Sequence, residues 1–319
     1  MLYTLLKLLA RFQLPLYARG IRINRPELLK VEGPVLLACN HPNSFLDSVL
    51  LDTLFKKPVW SLARGDAFRN SGVRTILHAL KILPVYRTSE GTAHLHINYR
   101  TFESCRLLFK KQALVTIFSE GKCINEWRLR PLKKGTARLA MQAWSDGIPL
   151  RVLPVSINYS SYYRYGKNLI IQFGEFIESK DIPWDQSEGK RHQLFNQRLE
   201  ASLRAGVIEL DQNDKAARRQ TFYIPCSKTK KWITAIPALA GWILHAPLYF
   251  PVRAVVAFAS RYNDHFDSIV AGLLLLLYPG YWFFLIAVGY GQFGWIGWVA
   301  AMGSPLLIRA LLVWLPQTD

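Results

Sequence analysis

Residues 268–308 form a run of 41 positions without a single Asp, Glu, Lys or Arg in a chain of 319. A bilayer takes ~20 apolar residues per helix, so this run has room for two spans. Pro279-Gly280 and Gly289, Gly291, Gly294 and Gly297 mark places for kinks or a turn. Residues 232–252 are equally free of charge. Their three prolines, Pro237, Pro247 and Pro251, suit a re-entrant or interfacial segment as well as a span. A buried helical subdomain would read the same way. The expectation for 232–319 is a membrane-embedded helical region, a hairpin plus a re-entrant or third segment.

The net charge of +18 is placed unevenly. After Trp232 the only basic residues are Arg253, Arg261 and Arg309, offset by Asp264, Asp267 and Asp319, so the whole excess lies in residues 1–231. A basic part tied to a neutral, greasy tail fits an anionic membrane surface, where each nearby Lys or Arg contributes about 1 kcal/mol. Nucleic acid is the other usual partner of such charge. Neither a zinc-finger spacing nor an RNA-binding aromatic signature occurs, and no nucleic-acid partner is expected. By the positive-inside tendency, the knot at Lys228, Lys230 and Lys231 puts the basic part on the cytoplasmic face. Cys39, Cys105, Cys123 and Cys226 form no C-x-x-C pair, as suits reduced thiols facing a cytosol.

At the N-terminus, Leu2, Leu5, Leu6 and Leu9 fall on one helical face, with Thr4, Lys7 and Arg11 on the other. No small-residue cleavage site follows, which argues against a secretory signal. The reading is an amphipathic helix in the lipid interface over 1–25, with packing on the domain's own core as the alternative. Between residues 26 and 231 short apolar runs alternate with helical stretches. Strands are expected at 35–39, 59–63, 82–86, 114–118, 150–157 and 169–173, and helices near 44–56, 68–80, 94–111 and 135–146. Such alternation predicts an α/β domain, its sheet largely parallel and flanked by helices. In such sheets functional residues collect in loops at the carboxyl ends of strands.

Those loops carry the informative residues. NHPNSFLD (40–47) follows one strand, LPVYR (83–87) ends another, FSEGKC (118–123) a third, and VLPVS (152–156) is a proline-interrupted strand. Taken alone, the first block is a good helix start: Ser44 and Asp47 have capping-box spacing, and Asp47 suits the helix dipole. The four blocks in this order, however, resemble the glycerolipid acyltransferases, which include lysophosphatidic acid and glycerol-3-phosphate acyltransferases. That family carries N-H-x-x-x-x-D, a strand-end arginine, F-P-E-G-T-R and a V-P-V-like strand. This chain departs from it in two places. Five residues rather than four separate His41 from Asp47, which a one-residue bulge in the loop would absorb. Ser119 stands in the proline position, and Lys122-Cys123 replace Thr-Arg.

The resemblance implies a membrane-bound acyltransferase of phospholipid biosynthesis, passing a fatty acyl group from a thioester directly to a lipid hydroxyl. It implies His41 as general base and Asp47 as its orienter; neutral imidazole in that role typically gives 10²–10⁴-fold. No serine nucleophile is needed, and Ser44 reads as a cap. Arg87 is the family-matched candidate for the acceptor's phosphate, since a guanidinium fork fits its oxygens. Asn40, Ser119, Glu120, Gly121 and Lys122 complete the acceptor set, with Glu120 holding Arg87 or a substrate hydroxyl, or simply pairing with Arg87. Lys133, Lys134 and Arg138 would meet the donor's phosphates, from acyl-CoA or acyl-carrier protein, unless they form a solvated helix face. No metal or bound cofactor is implied; His94 and His96 lack a third ligand. The expected acceptor is 1-acylglycerol-3-phosphate, with glycerol-3-phosphate or another lysophospholipid, a lyso-aminolipid among them, as alternatives. A non-catalytic lipid-binding adaptor draws support from the extra residue before Asp47. A transporter is not invited by so large a polar domain.

Overall fold

The computed structural model describes residues 1–86 and 95–318, and only the backbone of 95–98. Arg87 and His94 lie outside the described residues, as does the side chain of His96. A seven-stranded sheet forms the centre: β1 (Gly20–Ile23), β2 (Val35–Cys39), β3 (Val59–Arg64), β4 (Ile82–Val85), β5 (Leu114–Phe118), β6 (Arg151–Tyr159) and β7 (Asn168–Phe173). Its order is β1-β7-β6-β2-β5-β3-β4, and every pair is parallel except β6–β7. The sequence reading thus names six of seven strands. The seventh, β1, lies within residues 1–25 yet pairs with β7, so that stretch divides between a helix and the sheet.

Central strands are apolar along their whole length because helices cover both faces. In β2 the alternation sorts the residues: Leu36 and Ala38 join a core with Phe109, Leu139, Trp144 and Phe195, while Val35, Leu37 and Cys39 join another with Leu50, Phe55 and Phe222. The first core holds α4 (Leu95–Lys110), α5 (Gly135–Ser145) and α6 (Glu188–Gly206). The second holds α2 (Ser44–Leu54) and α7 (Lys215–Phe222); α3 (Ser71–Ala79) follows β3. Register then places the motifs. Cys39 pairs with both Phe118 and Val155, so the segments that leave β2 and β5 emerge side by side.

α1 (Leu2–Tyr17) turns its polar side inward. Lys7 Nζ reaches Asp52 at 3.1 Å and the Lys57 carbonyl at 3.2 Å, and Arg11 donates to the carbonyls of Thr53 and Phe55. Leu2, Leu5, Leu8 and Phe12 are left exposed. The helix therefore packs on the domain through its cations and presents an apolar stripe outward, which combines the two readings of its sequence.

The C-terminal region is α8 (Lys228–Ser260), α9 (Phe266–Met302) and α10 (Ser304–Trp314). By length and composition α8 and α9 are each able to cross a membrane. α8 stays helical through all three prolines. In α9 the chain does not turn at Pro279-Gly280 but breaks at Gly294, where φ is 60° and ψ −143°. After that break it doubles back, and Trp282 Nε1 donates to the Ala301 carbonyl at 3.1 Å. Gly289 and Gly297 meet backbone to backbone: a Cβ on Gly297 would sit 2.0 Å from the Gly289 oxygen. At Gly280 a Cβ would meet nothing within 4 Å. Gly297→Ala is therefore expected to lower stability in detergent by about 1–3 kcal/mol, the usual cost of overpacking. Gly280→Ala should leave it unchanged or raise it; thermal unfolding of the two variants checks the contrast.

Candidate active site

The site is assembled where β2 and β5 end. His41 leaves β2, and its ring lies flat against Phe118, the last residue of β5, with centroids 3.9 Å apart and planes 14° apart. His41 Nδ1 lies 2.9 Å from Asp47 Oδ2. Asp47 is fully buried at the start of α2 and collects two further donors. The Asn43 N–H reaches Oδ2 at 2.9 Å, and the Tyr159 hydroxyl reaches Oδ1 at 2.8 Å. A carboxylate only accepts, so Nδ1 must carry its proton here and Nε2 presents a lone pair. Among the described residues Nε2 has no hydrogen-bond partner, and the side chain keeps 18% exposure. Burial first, and the Asp47 charge second, push the Tyr159 phenol well above its ordinary range, so it remains a donor.

The extra residue between His41 and Asp47 is accommodated at Ser44, which takes the left-handed φ of 50°. Its N–H donates to Cys123 Sγ at 2.8 Å and its Oγ contacts His265 Nδ1 at 2.6 Å. Ser44 is thus not the cap that its spacing suggests. Asn43 holds the N-cap position, and Asp47 satisfies the Asn43 N–H. The Cys123 thiol is no rival nucleophile: burial, with the Asp47 charge adding to it, pushes it up and keeps it protonated.

Glu120 supports the loop from below. Its Oε2 accepts the His41 N–H and its Oε1 the Arg130 N–H, each at 3.3 Å. Its expected partner Arg87 lies outside the described residues. Burial outweighs those two bonds and pushes the Glu120 carboxyl up to about 7. Gly121 follows with φ 69°, a conformation glycine adopts without strain, and a Cβ there would press on Lys133 at 3.0 Å.

Two members of the expected acceptor set have other tasks. Asn40 is buried, and its amide bonds both the N–H and the carbonyl of Ile157, tying β2's end to β6. Ser119 is buried against the Thr136 hydroxyl at 3.0 Å. Both side chains are buried and bonded within the domain rather than open to solvent. Lys122, Lys133, Lys134 and Arg138 are all exposed. Lys133 flanks the Gly121 turn, whereas Lys134 and Arg138 lie near His192 of α6 and help depress its imidazole, which burial lowers first. Arg64 is paired with Asp66 at 2.6 Å. No cluster of metal-binding side chains occurs among the described residues.

Sequence reading missed the residues that arrive from far away. Asp267, at the start of α9, is buried with wholly buried Lys167 at 2.5 Å, accepts from the Tyr17 hydroxyl and takes the Asn43 amide at 2.6 Å. Asp264 accepts the Asn125 N–H at 3.0 Å. The turn between α8 and α9 therefore grips the loop that holds Asp47. The one signal for it in the sequence was that Asp264 and Asp267 interrupt the neutral tail.

Fold and site together define an α/β domain that presents a carboxylate-oriented imidazole at its strand ends. Residues 20–158 match a family profile described as Acyltransferase. Among solved structures the chain is similar to the 1-acyl-sn-glycerophosphate (LPA) acyltransferase PlsC from Thermotoga maritima, at 18% identity and a TM-score of 0.46, over 66% of this chain and 80% of that one. No curated protein matches its sequence significantly.

Glu120 yields a pH prediction. Its folded value lies above the ordinary 4.5, so the folded state binds the proton more tightly than the unfolded state. Stability contributed by the protonated form is present below about 4.5 and declines as pH rises towards about 7. Glu120→Gln should flatten that part of the stability curve, read as melting temperature in detergent from pH 4.5 to 8. A variant that loses stability over the same window as the wild type would exclude Glu120 as its source.

Proposed function

We propose that the protein transfers a fatty acyl group from an acyl thioester to the hydroxyl of a phosphorylated glycerolipid precursor, with 1-acylglycerol-3-phosphate as the acceptor. The observation that carries this reading is the unbonded Nε2 of an imidazole whose Nδ1 is held by Asp47 at 2.9 Å, inside the segment that matches the Acyltransferase profile. Nε2 takes the acceptor's hydroxyl proton as the oxygen attacks the thioester carbonyl. Asp47 stabilises the imidazolium that forms. Collapse of the tetrahedral intermediate breaks the C–S bond, and the departing sulfur receives the proton from Nε2. Coenzyme A or a carrier protein's pantetheine supplies that sulfur, and the reaction needs no metal or bound cofactor. Lys122 and Lys133, exposed beside the Gly121 turn, and Arg87, the strand-end arginine, are the candidates for the phosphates. Lys134 and Arg138, one turn further along, are the next candidates on the donor side.

The phospholipid-type acceptor is supported by the exposed apolar stripe of α1 and the apolar tail, surfaces suited to lipid. Free cysteines and the excess of basic residues before the neutral tail support a domain on the cytoplasmic side of the membrane. The test offers the purified protein mixed lysolipids and glycerol-3-phosphate with acyl-CoA or acyl-carrier protein, and identifies products by mass spectrometry. His41→Ala and Asp47→Asn should each lower turnover by about 10²–10⁴-fold. Arg87→Ala should weaken phosphate-bearing acceptors selectively. Full turnover by His41→Ala would refute the assigned chemistry, and absence of turnover with every donor would favour a lipid-binding adaptor.

A further inference from the structure

We infer that the C-terminal region enters one leaflet and returns, so that neither long apolar helix crosses the bilayer. The inference concerns the membrane partner and is independent of the reaction proposed above. Its basis is where the helix ends are tied. Just before α8, the Phe222 carbonyl accepts from Asn168 of β7 at 2.8 Å. Near the other end of α8, Arg253 donates to the Tyr163 carbonyl, in the β6–β7 connection, at 2.7 Å. Residues 228–253 span roughly 38 Å of helix at 1.5 Å per residue. That exceeds the ~30 Å hydrocarbon core. Were α8 to cross, its two ends would lie on opposite sides of the membrane, yet both hold the same α/β domain. It instead leaves and rejoins that domain on one side, packed along α10 and α9.

The same holds for the remaining chain. α9 starts at Asp267, locked to Lys167 and Tyr17. It then runs beside α1: Gln13 donates to the Leu274 carbonyl at 2.8 Å, and Phe12 stacks on Trp282 at 5.8 Å. Within α10 Arg309 donates to the Ala18 carbonyl, and after it Gln317 bonds Asn168 and Ile224, so the chain finishes on the domain where it began. The hairpin beyond Trp282 makes no hydrogen bond or ring contact to the α/β domain among the described residues. From Trp282 to the break at Gly294 it extends roughly 18 Å. That is little more than half the hydrocarbon thickness, the depth of one leaflet. Its surface carries exposed Phe283, Phe284, Phe293, Trp295 and Trp298 and no charge. Contact between Phe12 and Trp282 joins its root to the exposed Leu2, Leu5 and Leu8 of α1. The partner of this continuous surface is a single lipid monolayer, with Lys228, Lys230 and Lys231 available to anionic headgroups.

The experiment uses the full chain, with a protease-cleavable tag at each terminus, reconstituted in sealed vesicles of mixed neutral and anionic phospholipid. Gln292→Cys, at the apex, is placed in a Cys226→Ser background. In vesicles whose N-terminal tag is accessible, the C-terminal tag should be cleaved equally. The apex thiol should react neither with an impermeant maleimide added outside nor with one trapped inside, and a fluorophore attached there in detergent should be quenched most by lipids labelled near the chain ends. Labelling of Gln292→Cys by the trapped reagent, or tags on opposite sides, would overturn the inference. Parallel thermal unfolding confirms that the variant is folded, and acyl transfer can fail or succeed without affecting any of these readouts.

Discussion

A buried carboxylate organises this molecule. Asp47 has no exposure, and an ionised group in that position is costly unless donors surround it. Three do: the His41 ring, the Asn43 N–H and the Tyr159 hydroxyl. Two come from the loop after β2 and one from β6, while Asp47 itself belongs to α2, so the charge is stable only when loop, helix and strand are all in place. The same bonds fix the imidazole proton on Nδ1 and leave Nε2 for chemistry. Asn43 passes the constraint on, its N–H going to Asp47 and its amide to Asp267. Through Asp267 the buried ion pair with Lys167 and the start of α9 become part of the support of the site. Removing one partner of such a pair strands a charge, which typically costs 3–5 kcal/mol.

The parts of this arrangement differ in how plainly they can be read from residues. Interior strands such as VLLAC and LVTIF stand out because burial on both faces makes them continuously apolar. β1 escaped because GIRI is four residues long, at the sheet's edge, and carries Arg22. His41, Asp47 and Glu120 come together because register puts the ends of β2 and β5 side by side, which strand-end reading anticipates. Asn40 and Ser119 sit in the same loops but complete hydrogen bonds within the domain, and local sequence does not distinguish a side chain facing a substrate from one facing a backbone. Tyr159, Asp267 and Lys167 lie 112, 220 and 120 positions from Asp47 in sequence, and no periodicity connects them. Of five glycines and a proline offered as the hairpin's turn, only Gly294 takes a positive φ. Which of them would do so depends on the Gly289–Gly297 contact, a tertiary fact.

The polar face of α1 illustrates a further inversion. A helix packed on a domain's core ordinarily buries its leucines, yet here Lys7 and Arg11 bond the domain because Asp52 and the carbonyls ending α2 need donors. Leu2, Leu5 and Leu8 are thereby left on the exposed side. Together with the exposed aromatic residues of the tail's hairpin they form an apolar surface joined at the Phe12–Trp282 contact. The geometry that stabilises the fold and the geometry that positions the reaction share residues throughout.

The central claim is that Asp47 sets the tautomer of His41. Nitrogen-15 NMR of histidine-labelled protein, with His41 assigned by its loss in His41→Ala and recorded above the imidazole titration, tests it directly. The account predicts a protonated Nδ1 and a bare Nε2, with that preference lost in Asp47→Asn. A wild-type His41 carrying its proton on Nε2 would contradict it.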